Sequence, residues 1–109
     1  MKSKQIENLE QLFSIEGKVA AITGAGGVLF GSIAKGMAGL GAKVAVLDLR
    51  LAEAEATVKQ IVEAGGDAFA AEIDVLSEES VLKAKQAVLA KYGRIDILIN
   101  GAGGNHPKA

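Results

Sequence analysis

Short apolar runs alternate along this chain with longer segments in which apolar residues recur every three or four positions. Continuous apolar runs are typical of strands buried on both faces of a parallel sheet, and the recurrence is typical of amphipathic helices. The runs predict strands at 18–23, 43–48, 67–73 and 95–100. The segments between them predict helices at about 29–40, 50–64 and 77–92. Strands that alternate with helices in this way predict an α/β fold with a parallel sheet.

The helical spacing also predicts which side chains face the sheet. In the second and third helices these are Ala54, Val58, Ile61, Val62, Val81, Ala84, Val88 and Tyr92. The first helix contains Gly36 and Gly39, and glycine is a weak helix former. We expect these glycines where the first helix lies very close to the sheet.

A glycine-rich turn joins the first strand to the first helix, with glycines at positions 24, 26, 27 and 31, and Asp48 ends the second strand. Glycines let the backbone approach a pyrophosphate, and the free N–H groups of a helix start attract its charge. An acid at the end of the second strand can accept hydrogen bonds from a ribose diol. The pattern predicts a dinucleotide site on a Rossmann-type, doubly wound parallel sheet of about four strands in the order 3-2-1-4.

Other nucleotide sites also use glycine turns. Gly26 and Gly31-Ser32 match the outer spacing of a P-loop, but the lysine that such a loop needs is missing. A methyltransferase that binds S-adenosylmethionine has a similar turn and acid, so this alternative stays open. A nucleotide-binding module without chemistry of its own is the alternative outside enzymes.

Two acids carry the prediction of the nucleotide. Asp48 would repel a 2′-phosphate, so NAD is favoured over NADP, although Arg50 could partly offset this effect. Asp74 could accept a hydrogen bond from the adenine amine while Val75 forms an apolar wall. Ser77 is the better candidate for the cap of the third helix.

Composition limits the kinds of partner and site that we expect for this chain. The chain has 109 residues, a net charge of −1 and no cysteine. The balanced charge argues against nucleic acid or an anionic membrane as the main partner, and the lack of cysteine excludes disulfides and thiolate metal sites. We predict no metal site. Since no long apolar run is present, we expect a cytoplasmic protein.

The sequence predicts two regions. Residues 1–16 form an N-terminal extension with a short amphipathic helix at 4–13, and residues 17–109 form the dinucleotide-binding half of a larger domain. The fourth strand is as apolar as a central strand, yet no helix follows to cover its outer side. The domain is therefore predicted to be truncated after this strand.

Residues 14–109 resemble the short-chain dehydrogenase/reductase family. The resemblance rests on Gly17-Lys18-Val19-Ala20, Ile22-Thr23-Gly24, Asp48, Asp74-Val75 and the stretch from Arg94 to Gly103. It implies hydride transfer between a nicotinamide and a carbonyl or alcohol substrate, in a homo-oligomer when the protein is full length. The implied cofactor-binding residues are Gly24, Gly26, Gly27, Val28, Leu29, Asp48, Leu49, Asp74, Val75, Asn100, Gly101, Ala102 and Gly103.

Residues 101–109 and the Gly-Gly-Val-Leu of the first turn also resemble the D-mannonate oxidoreductase (fructuronate reductase) subgroup, which implies a sugar-acid substrate. Two departures from the family pattern stand out. The family's second and third glycines fall on Val28 and Phe30 when the turn is aligned without a gap. In addition, Gly101 replaces the second asparagine of the family's Asn-Asn-Ala-Gly motif.

The family's catalytic tyrosine is followed by a lysine four residues later. Here the only tyrosine is Tyr92, and Asp96 lies four residues after it. We therefore assign no catalytic residue to this chain and expect the Tyr-x-x-x-Lys segment beyond Ala109. The 109-residue chain is predicted to be inactive by itself.

Overall fold

The computed structural model describes residues 14–102 of the chain. The predicted helix at 4–13 and the candidate site residue Gly103 lie outside the described residues. The strands are β1 (Val19–Thr23), β2 (Lys43–Asp48), β3 (Asp67–Glu72) and β4 (Ile97–Asn100). The helices are α1 (Val28–Gly39), α2 (Leu51–Glu63) and α3 (Glu78–Tyr92).

The four strands form one parallel sheet in the order β3-β2-β1-β4, which confirms the predicted topology. Strand β4 begins at Ile97, two residues later than predicted. Asp96 still joins the edge of β1, because its N–H donates to the Val19 carbonyl at 2.9 Å. Its carboxylate accepts the Val19 N–H at 2.8 Å, so one residue satisfies both backbone groups of Val19.

Alternate residues of the central strands supply two separate cores. Ala20 and Ile22 of β1, with Val44 and Val46 of β2, belong to the core that also contains residues of α1 and α2. Val19, Ala21, Ala45 and Leu47 face the other way, into the core that contains α3. This period of two explains the continuous apolar runs, because both faces of these strands are covered.

The first helix departs from the expectation for its glycines. Gly36 and Gly39 are exposed, and a β-carbon added to either would meet nothing within 4 Å. The close approach occurs instead at the buried Gly31, where a β-carbon would lie 3.1 Å from the Ala25 carbonyl oxygen. The prediction for Gly36 and Gly39 was therefore wrong, because the tight contact is made with the turn before α1.

Two predicted inward positions also differ. Val62 is 54% exposed and Val81 is 40% exposed, whereas the polar Thr57 is 7% exposed. In α2 the face that points inward consists of Ala54, Thr57 and Ile61. Threonine was overlooked because hydrophobic periodicity counts only apolar side chains.

The ends of α3 follow the sequence signals. Ser77 is the N-cap, and its Oγ accepts the Ser80 N–H at 3.2 Å, as predicted. Gly93 ends the helix at a φ of +81°, a left-handed conformation that glycine adopts without steric cost.

Tyr92 serves the packing of the sheet. Its ring meets the Phe69 ring edge-on at 5.4 Å, and its hydroxyl donates to the Asp67 carboxylate at 2.8 Å. Burial, followed by this hydrogen bond and the charge of Asp67, raises the pKa of the Tyr92 hydroxyl. Asp67 begins β3, so Tyr92 lies at the sheet edge opposite the glycine turn.

We predict that Asp96→Asn reduces the pH dependence of stability. The Val19 N–H, and then Arg94, lower the pKa of Asp96 below its usual value of 3.8. A lowered folded-state pKa contributes stability above about pH 4 that is lost as the pH falls through the folded pKa. The variant should therefore unfold more easily in urea at pH 7, with a smaller difference from the parent at pH 3.

Glu63→Gln is the control for removal of an exposed acid at the end of α2. An Asp96→Asn protein whose stability changes with pH as steeply as that of the parent would contradict the proposed role of this carboxylate.

We also predict that the 109-residue chain self-associates through β4. Within residues 14–102 this strand pairs only with β1, and its Leu98 side chain is 70% exposed. Unpaired strand edges with apolar side chains attract other chains. In light scattering, Leu98→Lys should reduce association, whereas Leu40→Lys, at a side chain that is 69% exposed on α1's C-cap, should not. A monodisperse monomer of the parent chain would refute the prediction.

Candidate functional site

The carboxyl ends of all four strands meet at one edge of the sheet. Thr23 pairs in register with Leu47 on one side and with Asn100 on the other, and Asp48 pairs with Glu72. Segments that follow parallel strands therefore converge here, which is where ligands bind in open α/β sheets. The predicted site residues that the structure describes lie in the turn after β1, in the first turn of α1, or at and just after the ends of β2, β3 and β4.

The turn from Gly24 to Gly27 is held by its own backbone and by β2. Gly24 has a φ of +73°, and its carbonyl accepts the Gly27 N–H at 3.1 Å. The Ala25 N–H donates to the Leu47 carbonyl at 3.2 Å. These bonds bring the chain sharply from β1 into α1 and leave the start of the helix at the sheet edge.

The N-terminus of α1 is open. Its N-cap is Gly27, which has no side chain to accept a hydrogen bond, and its first turn contains no acid. By contrast, the first turn of α2 contains Glu53, and α3 starts with a serine cap and two acids. Among residues 14–102, nothing accepts the N–H groups of Val28 and Leu29. The helix start therefore presents free donors and a positive dipole end, which suit a phosphate.

Asp48 connects the end of β2 to the turn. Its Oδ2 accepts the Gly26 N–H at 3.0 Å, and its Oδ1 accepts the Arg50 N–H at 2.9 Å. A carboxylate has about four acceptor sites, so both oxygens keep lone pairs for hydroxyl donors of a ligand. The Arg50 guanidinium pairs with Glu53 at 3.1 Å.

Thr23 is a site residue that the sequence analysis missed. Its hydroxyl donates to Asn100 Oδ1 at 2.7 Å and accepts the N–H groups of Gly101 and Ala102 at 3.0 and 3.2 Å. One side chain thus joins the end of β1 to the segment that leaves β4. The missed signal was a hydroxyl residue placed last in an otherwise apolar strand.

Gly24 provides the matching backbone contact. A β-carbon on this residue would lie 2.9–3.0 Å from backbone atoms of Gly101 and Ala102. The space beside Gly24 is therefore filled by the segment after β4. Its lack of a side chain has a structural reason as well as any role in admitting a ligand.

Phe30 and Gly101 occupy two of the positions where the chain departs from the family pattern. A β-carbon on Gly101 would run into the Phe30 ring. The absence of a side chain at Gly101 thus leaves space for the Phe30 ring. The two departures are therefore one change in packing, in which an aromatic ring on α1 covers the segment after β4.

Asp74 and Val75 lie just beyond β3. The Asp74 carboxylate accepts the Leu76 N–H at 3.0 Å, and the Asp74 N–H donates to the Ser80 hydroxyl at 2.8 Å. Val75 lines a cleft of about 390 Å³ that Thr23 and Asn100 also line. The structure thus brings Val75 to the same cleft as the end of β4.

Large apolar side chains are exposed at this edge, in the first turn of α1 and in the loops after β2 and β3. Val28 and Leu76 are 91% and 94% exposed, and Leu29 and Leu49 are more than 60% exposed. Exposed apolar groups that cluster at one edge mark a surface that binds a ligand or another segment.

Other kinds of site find no support in the part of the chain that the structure describes. Residues 14–102 contain no group of three acidic or histidine side chains that could hold a metal ion. None of the helices in this range is both long and apolar enough to cross a membrane.

Comparison with known proteins identifies the family. The sequence model of the short-chain dehydrogenases matches residues 18–109, which include every element described above. The chain belongs to the short-chain dehydrogenase family. This membership confirms the resemblance seen in the sequence.

Relatives in the family have similar sequences and structures. An uncharacterized oxidoreductase of Bacillus subtilis, UxuB, is 47% identical over 96 residues, which are 88% of this chain and 34% of the relative. A structure from Haemophilus influenzae with bound NAD, provisionally named a D-mannonate oxidoreductase, is 42% identical with a TM-score of 0.82. That match covers 94% of this chain and 36% of the other.

A 7α-hydroxysteroid dehydrogenase structure, complexed with NADH and 7-oxo glycochenodeoxycholic acid, has the same TM-score of 0.82 at 40% identity. The match covers 85% of this chain and 36% of the dehydrogenase chain. The chain spans about a third of the length of the curated relatives that it matches.

We predict that Gly101→Asn, which introduces the residue usual in the dehydrogenase family, destabilises this chain. The effect should be smaller when Phe30 is also replaced by a smaller residue. Gly101 does not have a positive φ, so backbone strain is not the obstacle, and the nearest atoms that a β-carbon would meet all belong to the Phe30 ring. Overpacking of this kind costs about 1–3 kcal/mol. Urea unfolding of both single variants and of Phe30→Ala with Gly101→Asn would measure the coupling. Strictly additive effects would show that the two positions are independent.

Proposed function

We propose that this sheet edge binds NAD, and that the whole protein is an NAD-dependent oxidoreductase of the short-chain dehydrogenase type. The observation that carries the proposal is the uncapped start of α1 beside the Asp48 carboxylate. The first suits a pyrophosphate, and the second suits a ribose diol. Bound NAD and NADH in two related structures support the same nucleotide here.

Each part of the edge has a role in this proposal. The N–H groups of Val28 and Leu29 bind the pyrophosphate, and Asp48 accepts hydrogen bonds from the adenosine ribose. Asp74 and Val75 contact the adenine, and the segment from Asn100 to Ala102 lies along the nicotinamide side. Because Glu53 already pairs with Arg50, the local charge around Asp48 stays negative and disfavours a 2′-phosphate.

When bound, NAD would supply the hydride acceptor for an alcohol or, in its reduced form, the donor for a carbonyl. The residues described here bind and orient the nucleotide. We propose that the tyrosine and lysine for proton transfer lie in a part of the protein that follows this chain. Relatives about three times as long support that reading.

A sugar acid is the substrate class that we propose for the whole protein. The resemblance of residues 101–109 to the D-mannonate oxidoreductase subgroup supports it, as does the similarity to the Haemophilus structure. A homo-oligomeric full-length enzyme and a cytoplasmic location stay predictions of the sequence.

Asp48→Ser tests the nucleotide assignment. We expect weaker NAD binding and less discrimination against NADP, by on the order of 1–3 kcal/mol for lost hydrogen bonds to a charged group. Calorimetric titration with both nucleotides measures the ratio of their affinities. Glu72→Ser is the matched control, because it removes an acid from the neighbouring strand in register with Asp48.

An NAD/NADP ratio that Asp48→Ser leaves unchanged would contradict the role of this carboxylate. Competition between NAD and S-adenosylmethionine for the site distinguishes the proposed function from the methyltransferase alternative. Binding of S-adenosylmethionine in place of NAD would refute the proposed function.

A further inference from the structure

One peptide group of the turn is held at both ends by side chains. The carbonyl of Ala25 accepts the Thr57 hydroxyl at 3.0 Å. The N–H of Gly26, which belongs to the same planar peptide, donates to Asp48 Oδ2 at 3.0 Å. The two side chains come from different elements, since Thr57 lies on α2 and Asp48 ends β2.

We infer that Thr57 is a positioning residue of the nucleotide site, which acts through this peptide on Asp48. The inference rests on the proposed function, because it assigns a second determinant of NAD binding to the same edge. Thr57 contacts the turn from behind and sets where the proposed ribose-binding carboxylate lies.

Loss of the hydrogen bond from the Thr57 hydroxyl to the Ala25 carbonyl would be costly because both groups are buried. Thr57 is 7% exposed, and Ala25 is fully buried. A carbonyl that loses its donor in such a place is not rehydrated, so the peptide is driven to find another partner. The Thr57 hydroxyl has a second contact, with the Glu53 carbonyl at 3.3 Å, which is longer than the bond to Ala25.

The bond depends on Gly31. A β-carbon on this buried residue would lie 3.1 Å from the Ala25 oxygen and 3.5 Å from Thr57 Oγ1. The absence of a side chain thus lets α2 bring its hydroxyl up to the turn. This accounts for the buried glycine inside α1, in contrast to the exposed Gly36 and Gly39.

Planarity carries the effect across the peptide. The carbonyl and the N–H of a peptide turn together about the bonds that flank the plane. Gly26 lies on one side of the plane, and glycine resists such a rotation least. Without the hydroxyl, the plane is free to rotate, the Gly26 N–H leaves Asp48, and the carboxylate loses the bond that orients Oδ2.

The test compares two replacements of Thr57 in the full chain. Thr57→Val keeps the shape and removes the hydroxyl, whereas Thr57→Ser keeps the hydroxyl. Val19→Ala is the control for lost stability, since Val19 is buried in the other core, at the start of β1 and away from the sheet edge that binds the nucleotide. The measurements are calorimetric titrations with NAD and with NADP, urea unfolding, and hydrogen exchange of the Gly26 amide without nucleotide.

We expect Thr57→Val to weaken NAD binding about fivefold or more, to reduce the preference for NAD over NADP and to speed exchange of the Gly26 amide. Thr57→Ser should restore all three to near the parent values. Val19→Ala should lower stability while it leaves the nucleotide preference and the Gly26 exchange unchanged.

Unchanged nucleotide preference in Thr57→Val, next to a clear loss in Asp48→Ser, would overturn this inference alone. Equal losses in Thr57→Val and Thr57→Ser would also overturn it, because shape rather than the hydroxyl would then matter. A parent chain that binds neither nucleotide would overturn the proposed function and this inference with it.

Discussion

The fold of this chain depends on a turn that has no room for side chains on either flank. On one flank the backbone after β4 lies against Gly24, and on the other flank the start of α2 lies against Gly26. A β-carbon at either glycine would come within about 3 Å of these neighbours. The turn therefore brings β1, β4 and α2 together, and the open start of α1 follows directly from its path.

Hydrogen bonds to side-chain oxygens hold the glycine turn and its neighbours in place. Thr23 joins the turn's strand to the segment after β4, Asp48 holds the Gly26 N–H, and Thr57 holds the Ala25 carbonyl. The bonds from Asp48 and Thr57 satisfy backbone groups, the Gly26 N–H and the Ala25 carbonyl, that have no other partner among the described residues. The same contacts leave the first N–H groups of α1 unpaired among the described residues, and these groups are the proposed phosphate donors.

The departures from the family pattern become understandable in three dimensions. Phe30 replaces a glycine and Gly101 replaces an asparagine, and the ring of the first fills the space left by the second. In the sequence these are two separate departures. The packing couples them, because the Phe30 ring on α1 occupies the space that a side chain at position 101 would need.

The sequence by itself determined the order of strands and helices, the sheet topology, the acid at the end of β2 and the cap at Ser77. The elements, the acid and the cap depend on local chemistry and on periodicity, whereas the topology follows from the handedness of crossover connections and the dinucleotide-binding pattern. Only the tertiary structure decided that Gly31, rather than Gly36 or Gly39, makes the close contact, and that Thr57 faces inward. Such contacts join residues that are far apart in the chain. The periodicity within one segment does not indicate which residues of another segment it will contact.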